Sequence, residues 1–143
     1  MSDQVLLIKP LIEGAKAPVR GTAYAAGYDV YSTCSCAIEK DVVTEIRIGF
    51  AMAIPKGCYA KFEARSSLAR EGVVVLGGVI DSDYRGEVIV LLSKITPGTY
   101  GIAKGNKIAQ FIILKCETPE VVTVNELPQS ERGEGGFGST GKQ

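Results

Sequence analysis

Residues 77–88 of the chain read GGVIDSDYRGEV, and this stretch constrains the fold more than any other. Two glycines and a short apolar pair lead into a turn rich in carboxylates, and residues 88–92 return as a run of β-branched and aliphatic side chains. That order predicts a β-hairpin with its turn near Ser82 and Asp83. Gly78 stands beside an apolar strand, which indicates a close approach to the backbone.

Asp81 and Tyr84 give the same stretch a candidate chemistry. Asp81 ends the first predicted strand, and Tyr84 offers a flat aromatic face at the mouth of the hairpin. A carboxylate beside exposed backbone and an aromatic ring suits a small planar ligand and the activation of a water molecule. Taken alone, the stretch favours an ordinary turn, because Asp, Ser and Gly are the usual turn residues.

Short strands separated by turn residues are predicted along most of the chain. Segment 66–72 is the one convincing helix, with serine at its start, helix-forming residues inside and glycine at its end. This pattern predicts an all-β barrel or sandwich with one short helix, spanning residues 1–129, and a flexible glycine-rich tail at 130–143 that has little to bury. The predicted strands are 5–8, 28–31, 44–48, 50–54, 58–64, 73–76, 107–114 and 121–124.

Composition excludes several classes of function. The chain has 143 residues, with 16 basic and 16 acidic side chains, so no basic field favours nucleic acid or an acidic membrane surface. The absence of histidine excludes Ser-His-Asp and Cys-His mechanisms. The four cysteines match no zinc pattern and are expected to be reduced. No signal peptide or apolar span is recognisable, which predicts a location in the cytoplasm or nucleus.

Segment 64–67, read as ARSS, carries groups that suit phosphate oxygens. Arg65 offers a planar fork of donors, and Ser66 and Ser67 add hydroxyls at the predicted start of the helix. A serine cap with a surface arginine is the alternative interpretation, and as an isolated signal the segment is weak.

The tail segment 132–141, read as RGEGGFGSTG, has the composition of a flap. Glycine-rich backbone can wrap phosphates through its N–H groups. In this interpretation the Phe137 ring covers a base while Arg132, Ser139 and Thr140 reach phosphates. A low-complexity tail is the alternative, and it accounts for the glycines but not for Phe137 or Arg132.

Two polar residues lie within otherwise apolar or small-residue segments. Gln110, inside the predicted strand 107–114, needs a partner if buried, and a ligand phosphate or a backbone group would serve equally well. Asp29 follows small residues at 25–27. It either faces phosphates through a metal and its waters or supports a loop by bonds to the backbone, which is commoner.

Taken together and in this order, the five segments resemble the five motifs of the trimeric deoxyuridine triphosphatases (dUTPases), and the resemblance runs from residue 25 to 141. The patterns GVIDxDYxG at 78–86 and RGxGGFGSTG at 132–141 are highly specific. The resemblance implies a jelly-roll-like β-barrel that forms a homotrimer with shared sites. The implied reaction converts dUTP and water to dUMP and pyrophosphate, with Mg²⁺ on the triphosphate. This keeps uracil out of DNA and supplies dUMP for thymidylate synthesis.

The resemblance also implies residue roles. Asp81 matches the residue that orients and deprotonates the water, and Tyr84 matches the aromatic that leaves no room for a ribose 2′-hydroxyl. Backbone near Gly78 and Ile89 matches the groups that read the uracil edge, and Phe137 matches the ring that stacks on uracil. The other implied substrate-binding residues are Arg65, Ser66, Ser67, Ile80, Gln110, Arg132, Gly138, Ser139 and Thr140. Asp29 matches an aspartate that contacts the metal indirectly, through water.

Two departures from the family pattern stand beside these matches. Ala64 replaces the usual proline or glycine before the arginine, and Lys107 replaces an arginine before Ile-Ala-Gln. Lysine keeps the charge but loses the bidentate fork. Neither departure touches Asp81, so an active enzyme is expected.

Three other functions compete with this one. A dCTP deaminase has a similar fold, but the complete tail with Phe137 argues against it, and ammonia release from dCTP would discriminate. A nucleotide-binding regulatory protein could use the tail to display a surface, although an intact Asp81 disfavours inert binding. A structural β-sandwich with a disordered tail is the third possibility.

Overall fold

The computed structural model describes residues 4–136, which form eleven strands and one short helix. In chain order they are β1 Leu7–Pro10, β2 Tyr28–Tyr31, β3 Cys36–Glu39, β4 Thr44–Arg47, β5 Phe50–Ala53, β6 Cys58–Glu63, α1 Ser66–Arg70, β7 Val73–Leu76, β8 Val79–Ile80, β9 Ile89–Lys94, β10 Thr99–Ile102 and β11 Lys107–Lys115. The prediction of an all-β fold with one short helix is confirmed. In the described range no helix has the length and apolar character needed to cross a membrane.

The strands form four antiparallel sheets around one core. The largest sheet has the order β2-β11-β6-β8, and a second has the order β4-β9-β7. Strands β1 and β5 form one two-stranded sheet, and β10 and β3 form another. In the largest sheet Gln110 of β11 lies opposite Asp29 on one side and Glu63 on the other, a register that brings distant segments of the sequence together.

Alternating side chains of the central strands supply the core. Strand β6 buries Cys58, Ala60 and Phe62 and turns the residues between them outward. Phe111 of β11 stacks on Tyr28 with ring centroids 5.2 Å apart and meets Phe62 edge-on at 5.3 Å. Burying a phenylalanine stabilises a fold by about 1.5–3 kcal/mol. The alternation predicted for residues 58–64 is confirmed by β6, and the buried strand predicted at 107–114 corresponds to β11.

The hairpin predicted around residues 82 and 83 is wrong. Strand β8 pairs with β6, whereas β9 pairs with β4 and β7. Gly77 and Gly78, with φ of 63° and 99°, turn the chain out of the β7–β9 sheet and toward β6. The Gly78 carbonyl accepts a bond from the Phe62 N–H at 2.9 Å, and a Cβ on Gly78 would lie 3.3 Å from Phe62. The predicted close approach at Gly78 is confirmed.

The C-terminal part of the described chain leaves the sheets after Lys115. Residues 116–136 form no strand or helix, so the predicted strand at 121–124 is wrong. Its apolar side chains are exposed: Val121 to 90% and Val122 to 69%. Strands β3 and β10 were not predicted. The boundary between a domain at 1–129 and a tail at 130–143 stays a prediction.

The four cysteines all lie in the described chain and form no disulfide there. Cys58 is buried, Cys36 is half-buried, and Cys34 and Cys116 are exposed. Burial, together with the neighbouring Cys34, raises the pKa of the Cys36 thiol. A raised pKa disfavours the reactive thiolate, so Cys36 is less reactive than an ordinary exposed cysteine.

Candidate active site

A cleft of about 200 Å³ opens where the chain passes from β8 to β9, and we call it the Asp81 cleft. It exists because β8 and β9 belong to different sheets, which leaves segment 81–88 to bridge the gap. Gly78 adjoins the cleft through its neighbour Val79. The lining residues are Val79, Ile80, Asp81, Tyr84, Glu87 and Ile89. The structure thus brings together the candidates predicted from this part of the sequence, although the local strand pairing differs.

Asp81 presents an unpaired carboxylate at the rim of the cleft. It is the first residue after β8 and is exposed. Within residues 4–136 its side chain has no hydrogen bond or ion pair, and only its backbone carbonyl is used, by the Tyr84 N–H at 3.1 Å. A free carboxylate held on a strand end can accept a proton from a water molecule placed in the cleft.

Tyr84 forms a fixed wall of the cleft. Its hydroxyl donates to the Glu87 carbonyl at 2.8 Å, and the ring lies over Gly86. A Cβ on Gly86 would lie 2.5 Å from the Tyr84 hydroxyl, so a larger residue there would displace the ring. The ring is 44% exposed, which leaves a face available to a ligand.

Glu87 and Val79 line the cleft but were not singled out from the sequence. Glu87 is held by Arg47, whose Nη1 lies 2.9 Å from the carboxylate. Arg47 comes from β4, forty residues earlier in the chain, so no local sequence signal could have identified this pair. The sequence pattern places Val79 on a strand but does not indicate which face of the sheet its side chain occupies.

A second group of polar residues, the cationic cluster, consists of Asp29, Arg65 and Lys107. Arg65 Nε lies 3.5 Å from Asp29 Oδ1, and Lys107 Nζ lies 3.6 Å from Asp29 Oδ2. The β2–β11 register carries Asp29 to this position, where its side chain is 17% exposed. Two cations and one carboxylate leave the cluster with a net positive charge, which suits an anion.

The cationic cluster borders a cavity of about 320 Å³. It is lined by Arg65, Leu68, Tyr100, Ile102, Asn106 and Lys107, which come from the α1 region, β10 and the start of β11. Asp29 therefore does not support a loop by bonding the backbone, which was the commoner alternative. Instead it orients two cations beside a space that can hold a ligand.

The Gln110 side chain forms a hydrogen bond with the backbone of Ala64, the residue that precedes Arg65. Its Nε2 donates to the Ala64 carbonyl at 3.2 Å, so the backbone partner considered for this side chain is the one observed. The amide fits against Gly27, where a Cβ would lie 2.0 Å from Gln110 Oε1. Gln110 thus fixes the backbone on which Arg65 stands, while direct contact with a phosphate stays a prediction.

The two serines of α1 do not cap the helix. Arg65 is the N-cap residue, with φ −75° and ψ 147°, and no side chain caps the first turn. Ser66 and Ser67 are exposed, and their hydroxyls have no partner among residues 4–136. The serine-cap interpretation is wrong for this reason, and both hydroxyls are available to a ligand.

Only some of the predicted tail residues lie within the described chain. Arg132 is exposed, and its Nε donates to the Gly135 carbonyl within the same segment. The Gly133 N–H donates to Ser130 Oγ at 3.1 Å. The remaining predicted tail residues, Phe137, Gly138, Ser139 and Thr140, lie outside the described residues. Their roles stay predictions.

The Asp81 cleft and the cationic cluster lie at opposite ends of β6. Ala60 pairs with Ile80, which places Asp81 level with Tyr59, whereas Arg65 follows the other end of the strand. Six residues separate Tyr59 from Arg65, a distance of roughly 20 Å in extended chain. The two groups therefore lie in different regions of the subunit.

Asp29 is the carboxylate of the cationic cluster that a divalent cation could contact. Residues 4–136 contain no group of three or more acidic, cysteine or histidine side chains able to hold a metal. Mg²⁺ commonly keeps several waters and binds through one or two carboxylates together with substrate phosphates. Asp29 has both oxygens beside cations, so it suits contact with a metal-bound water better than direct ligation.

Comparison with known proteins identifies one family. A dUTPase family model matches residues 13–141. The deoxyuridine 5′-triphosphate nucleotidohydrolase of Paramecium bursaria Chlorella virus 1 is 44% identical over 137 residues, covering 95% of this chain and 97% of that protein. The human mitochondrial protein of the same name is 44% identical over 133 residues, covering 92% of this chain and 53% of its own length.

Solved structures agree with the sequence comparisons. A variant of the Staphylococcus bacteriophage 80alpha dUTPase bound to dUpNHpp matches with a TM-score of 0.88 and 29% identity, covering 96% of this chain and 98% of its own. A variant of the phage phi11 dUTPase from S. aureus, described with a structural Mg(II) ion, matches with a TM-score of 0.80 and 25% identity, covering 87% of this chain and 99% of its own.

Proposed function

The chain belongs to the dUTPase family, the enzymes that hydrolyse dUTP to dUMP and pyrophosphate, and we propose that Asp81 activates the attacking water in this member. The observation that carries the proposal is the free carboxylate at the rim of the Asp81 cleft. Hydrolysis of a phosphoanhydride requires an aligned water, a base and neutralisation of phosphate charge. Asp81 supplies the base.

The walls of the Asp81 cleft suit a deoxynucleoside. In this proposal backbone near Gly78 and Ile89 reads the edge of uracil, and a 5-methyl group would collide there. Tyr84 is held by Glu87 and packed on Gly86, so its ring cannot retreat from a ribose 2′-hydroxyl. A fixed ring discriminates between nucleotides by shape, because the ring does not move to relieve a clash and the larger ligand is displaced instead.

The cationic cluster suits the triphosphate. Arg65 and Lys107 supply charge, and Ser66 and Ser67 supply free hydroxyls beside Arg65. Mg²⁺ carried by the triphosphate would add neutralisation of phosphate charge when bound. Asp29 keeps Arg65 and Lys107 directed toward the cavity, since its carboxylate lies between them.

We propose further that the enzyme is a homotrimer whose sites are shared between subunits. The separation of roughly 20 Å along β6 supports this, because only another copy can bring a cationic cluster to the Asp81 cleft. The exposed apolar side chains of residues 121–127 also support it, since such residues are usually covered by a partner. The tail, with Arg132 and Phe137, would then close over the nucleotide as the third contribution.

The Asp81→Asn variant tests the chemical role. The amide keeps the shape of the side chain but cannot take a proton, so turnover should fall about 10²–10⁴-fold while dUpNHpp still binds. Asp41→Asn is the matched control: Asp41 is exposed, and its side chain has no partner in the described chain. The readout is pyrophosphate release. Near-normal turnover by Asp81→Asn would exclude Asp81 as the base.

Complementation between two inactive variants tests the shared site. One carries Asp81→Asn, and the other stops at Ser130. When equal amounts are refolded together, about one quarter of the sites should combine a sound Asp81 with a sound tail, because the two come from different, randomly chosen chains. The measurement is pyrophosphate release by the isolated trimer fraction. Mixed trimers without activity would show that each site belongs to one chain.

A further inference from the structure

Lys94 is a buried lysine that the proposed reaction does not use. It ends β9 and is only 5% exposed. Its Nζ donates to Thr96 Oγ1 at 2.6 Å, to the Thr96 carbonyl at 3.2 Å and to the Pro97 carbonyl at 2.9 Å. An ammonium has three protons, so all three are satisfied by neutral oxygens of a single turn. No carboxylate of residues 4–136 forms an ion pair with it.

Burying a charge without a counter-ion is costly, and a simple packing role would be served by an apolar side chain. Charge-assisted hydrogen bonds are stronger and shorter than neutral ones, and they fix the position of the groups that they join. The three bonds of Lys94 therefore hold the turn at residues 96–98 in one conformation. The contacts that this turn makes indicate why its conformation is fixed.

The turn joins both walls of the cavity beside the cationic cluster. Thr96 Oγ1 donates to the Glu71 carbonyl at 2.7 Å, and Glu71 is the C-cap residue of α1. Gly72 lets the two segments meet, because a Cβ there would lie 2.3 Å from Thr96 Oγ1. On its other side the turn leads directly into β10, which contributes Tyr100 to the cavity lining.

The helix transmits this constraint to Arg65 over a short distance. Helix α1 has five residues, so its ends are separated by roughly 7 Å. The Arg65 carbonyl accepts bonds from the N–H groups of Leu68 at 3.1 Å and Ala69 at 2.9 Å. Leu68 is 2% exposed and anchors the helix in the core. A shift at the Glu71 end therefore moves the backbone that carries Arg65.

We propose that Lys94 is a positioning residue, which holds α1 and β10 at the spacing that the cationic cluster needs to bind phosphate. The proposal rests on the assignment of the cationic cluster to the triphosphate. Lys94 acts through Thr96 and the helix, and it touches no substrate. Its loss should weaken binding of ligands that carry phosphates and should spare the recognition of the nucleoside in the Asp81 cleft.

The test compares Lys94→Met with Lys40→Met. Methionine keeps most of the apolar stem of Lys94 and removes the three donors. Lys40 is exposed, forms an isolated bridge with Lys94 on the neighbouring segment and has no side-chain partner in the described chain, so its variant controls for loss of one positive charge. KM for dUTP should rise about tenfold in Lys94→Met, the effect of one charge-assisted hydrogen bond, and stay within about twofold in Lys40→Met.

Two further measurements separate positioning from general destabilisation. The affinity for dUpNHpp should fall with the rise in KM, whereas the inhibition constant of deoxyuridine, which lacks phosphates, should not change. Thr96→Val removes the link to Glu71 at an exposed residue, so it should fold even if Lys94→Met does not. Thr96→Val should also raise KM for dUTP. The double variant should have a KM close to that of Lys94→Met, because both substitutions interrupt the same chain of contacts from Lys94 to helix α1.

The outcomes distinguish the two proposals. Wild-type protein that releases no pyrophosphate from dUTP would overturn the proposed function. Wild-type protein that is active, with unchanged KM and dUpNHpp affinity in both Lys94→Met and Thr96→Val, would overturn the role of Lys94 and leave the function standing. Equal losses for dUpNHpp and deoxyuridine would also overturn it, since they would show a general structural effect.

Discussion

Replacing Gly27 with alanine should impair the cationic cluster without altering any of its residues. The added Cβ would lie 2.0 Å from Gln110 Oε1, 2.8 Å from Gln110 Cδ and 3.0 Å from Gln110 Cβ. Rotation of the Gln110 side chain can relieve the first two contacts but not the third, because Cβ is attached to the backbone of β11. Gln110 must leave its place, and its bond to the Ala64 carbonyl is then lost.

The magnitude follows from two costs. Overpacking a well-filled site destabilises a protein by about 1–3 kcal/mol. Breaking the bond from Gln110 leaves a half-buried amide and the Ala64 carbonyl without partners, which costs about another 1–3 kcal/mol. Together they predict a loss of about 2–6 kcal/mol in the free energy of unfolding. Because Ala64 precedes Arg65, KM for dUTP should rise as well.

Urea denaturation and steady-state kinetics measure the two effects. Gly21→Ala is the matched control, since a Cβ at Gly21 meets no atom within 4 Å, and its change should stay within about 0.5 kcal/mol. In a Gln110→Ala background most of the clashing atoms are absent, so adding Gly27→Ala should cost much less than in wild type. Equal stability of Gly27→Ala and Gly21→Ala, or strict additivity with Gln110→Ala, would refute the reasoning.

Two further predictions concern the nucleotide. The wild-type enzyme should strongly prefer dUTP to UTP and dTTP. Tyr84→Ala should reduce the preference for dUTP over UTP, because the fixed ring that excludes the 2′-hydroxyl is gone. Comparable kcat/KM on dUTP and UTP in the wild type would contradict the role of Tyr84. Since the chain contains no tryptophan, Phe137→Trp introduces a single fluorescence probe, and its emission should change when dUpNHpp binds; unchanged emission would count against closure of the tail.

The strands of the core could be predicted because their signal is local. Alternation in β6 marks which residues face inward, and the apolar run of β11 marks a buried strand. Strand partners were harder to predict. A turn at residues 82 and 83 favours a hairpin, yet β8 pairs with β6, since pairing depends on distant residues as well as on the turn. Val121 and Val122 favour a strand by type, but no partner in the described chain pairs with them.

The candidate site, like the fold, could be predicted only in part from the sequence. The sequence indicated Asp81, Tyr84 and Arg65 as candidate reactive or binding residues because their types and neighbours suit that chemistry. It could not show that Asp29 lies between Arg65 and Lys107, since that contact depends on the β2–β11 register. The separation of the Asp81 cleft from the cationic cluster likewise became visible only when both were placed on β6.

If sites are shared between subunits as proposed, the placement of these two groups at opposite ends of β6 makes activity depend on protein concentration. A shared site exists only while subunits are associated, and association follows mass action. A chain released on dilution would still carry Asp81 and Arg65, and yet have no complete site. A molecule that covers one end of the subunit would therefore inhibit the enzyme without resembling a nucleotide, by keeping the two halves of the site apart.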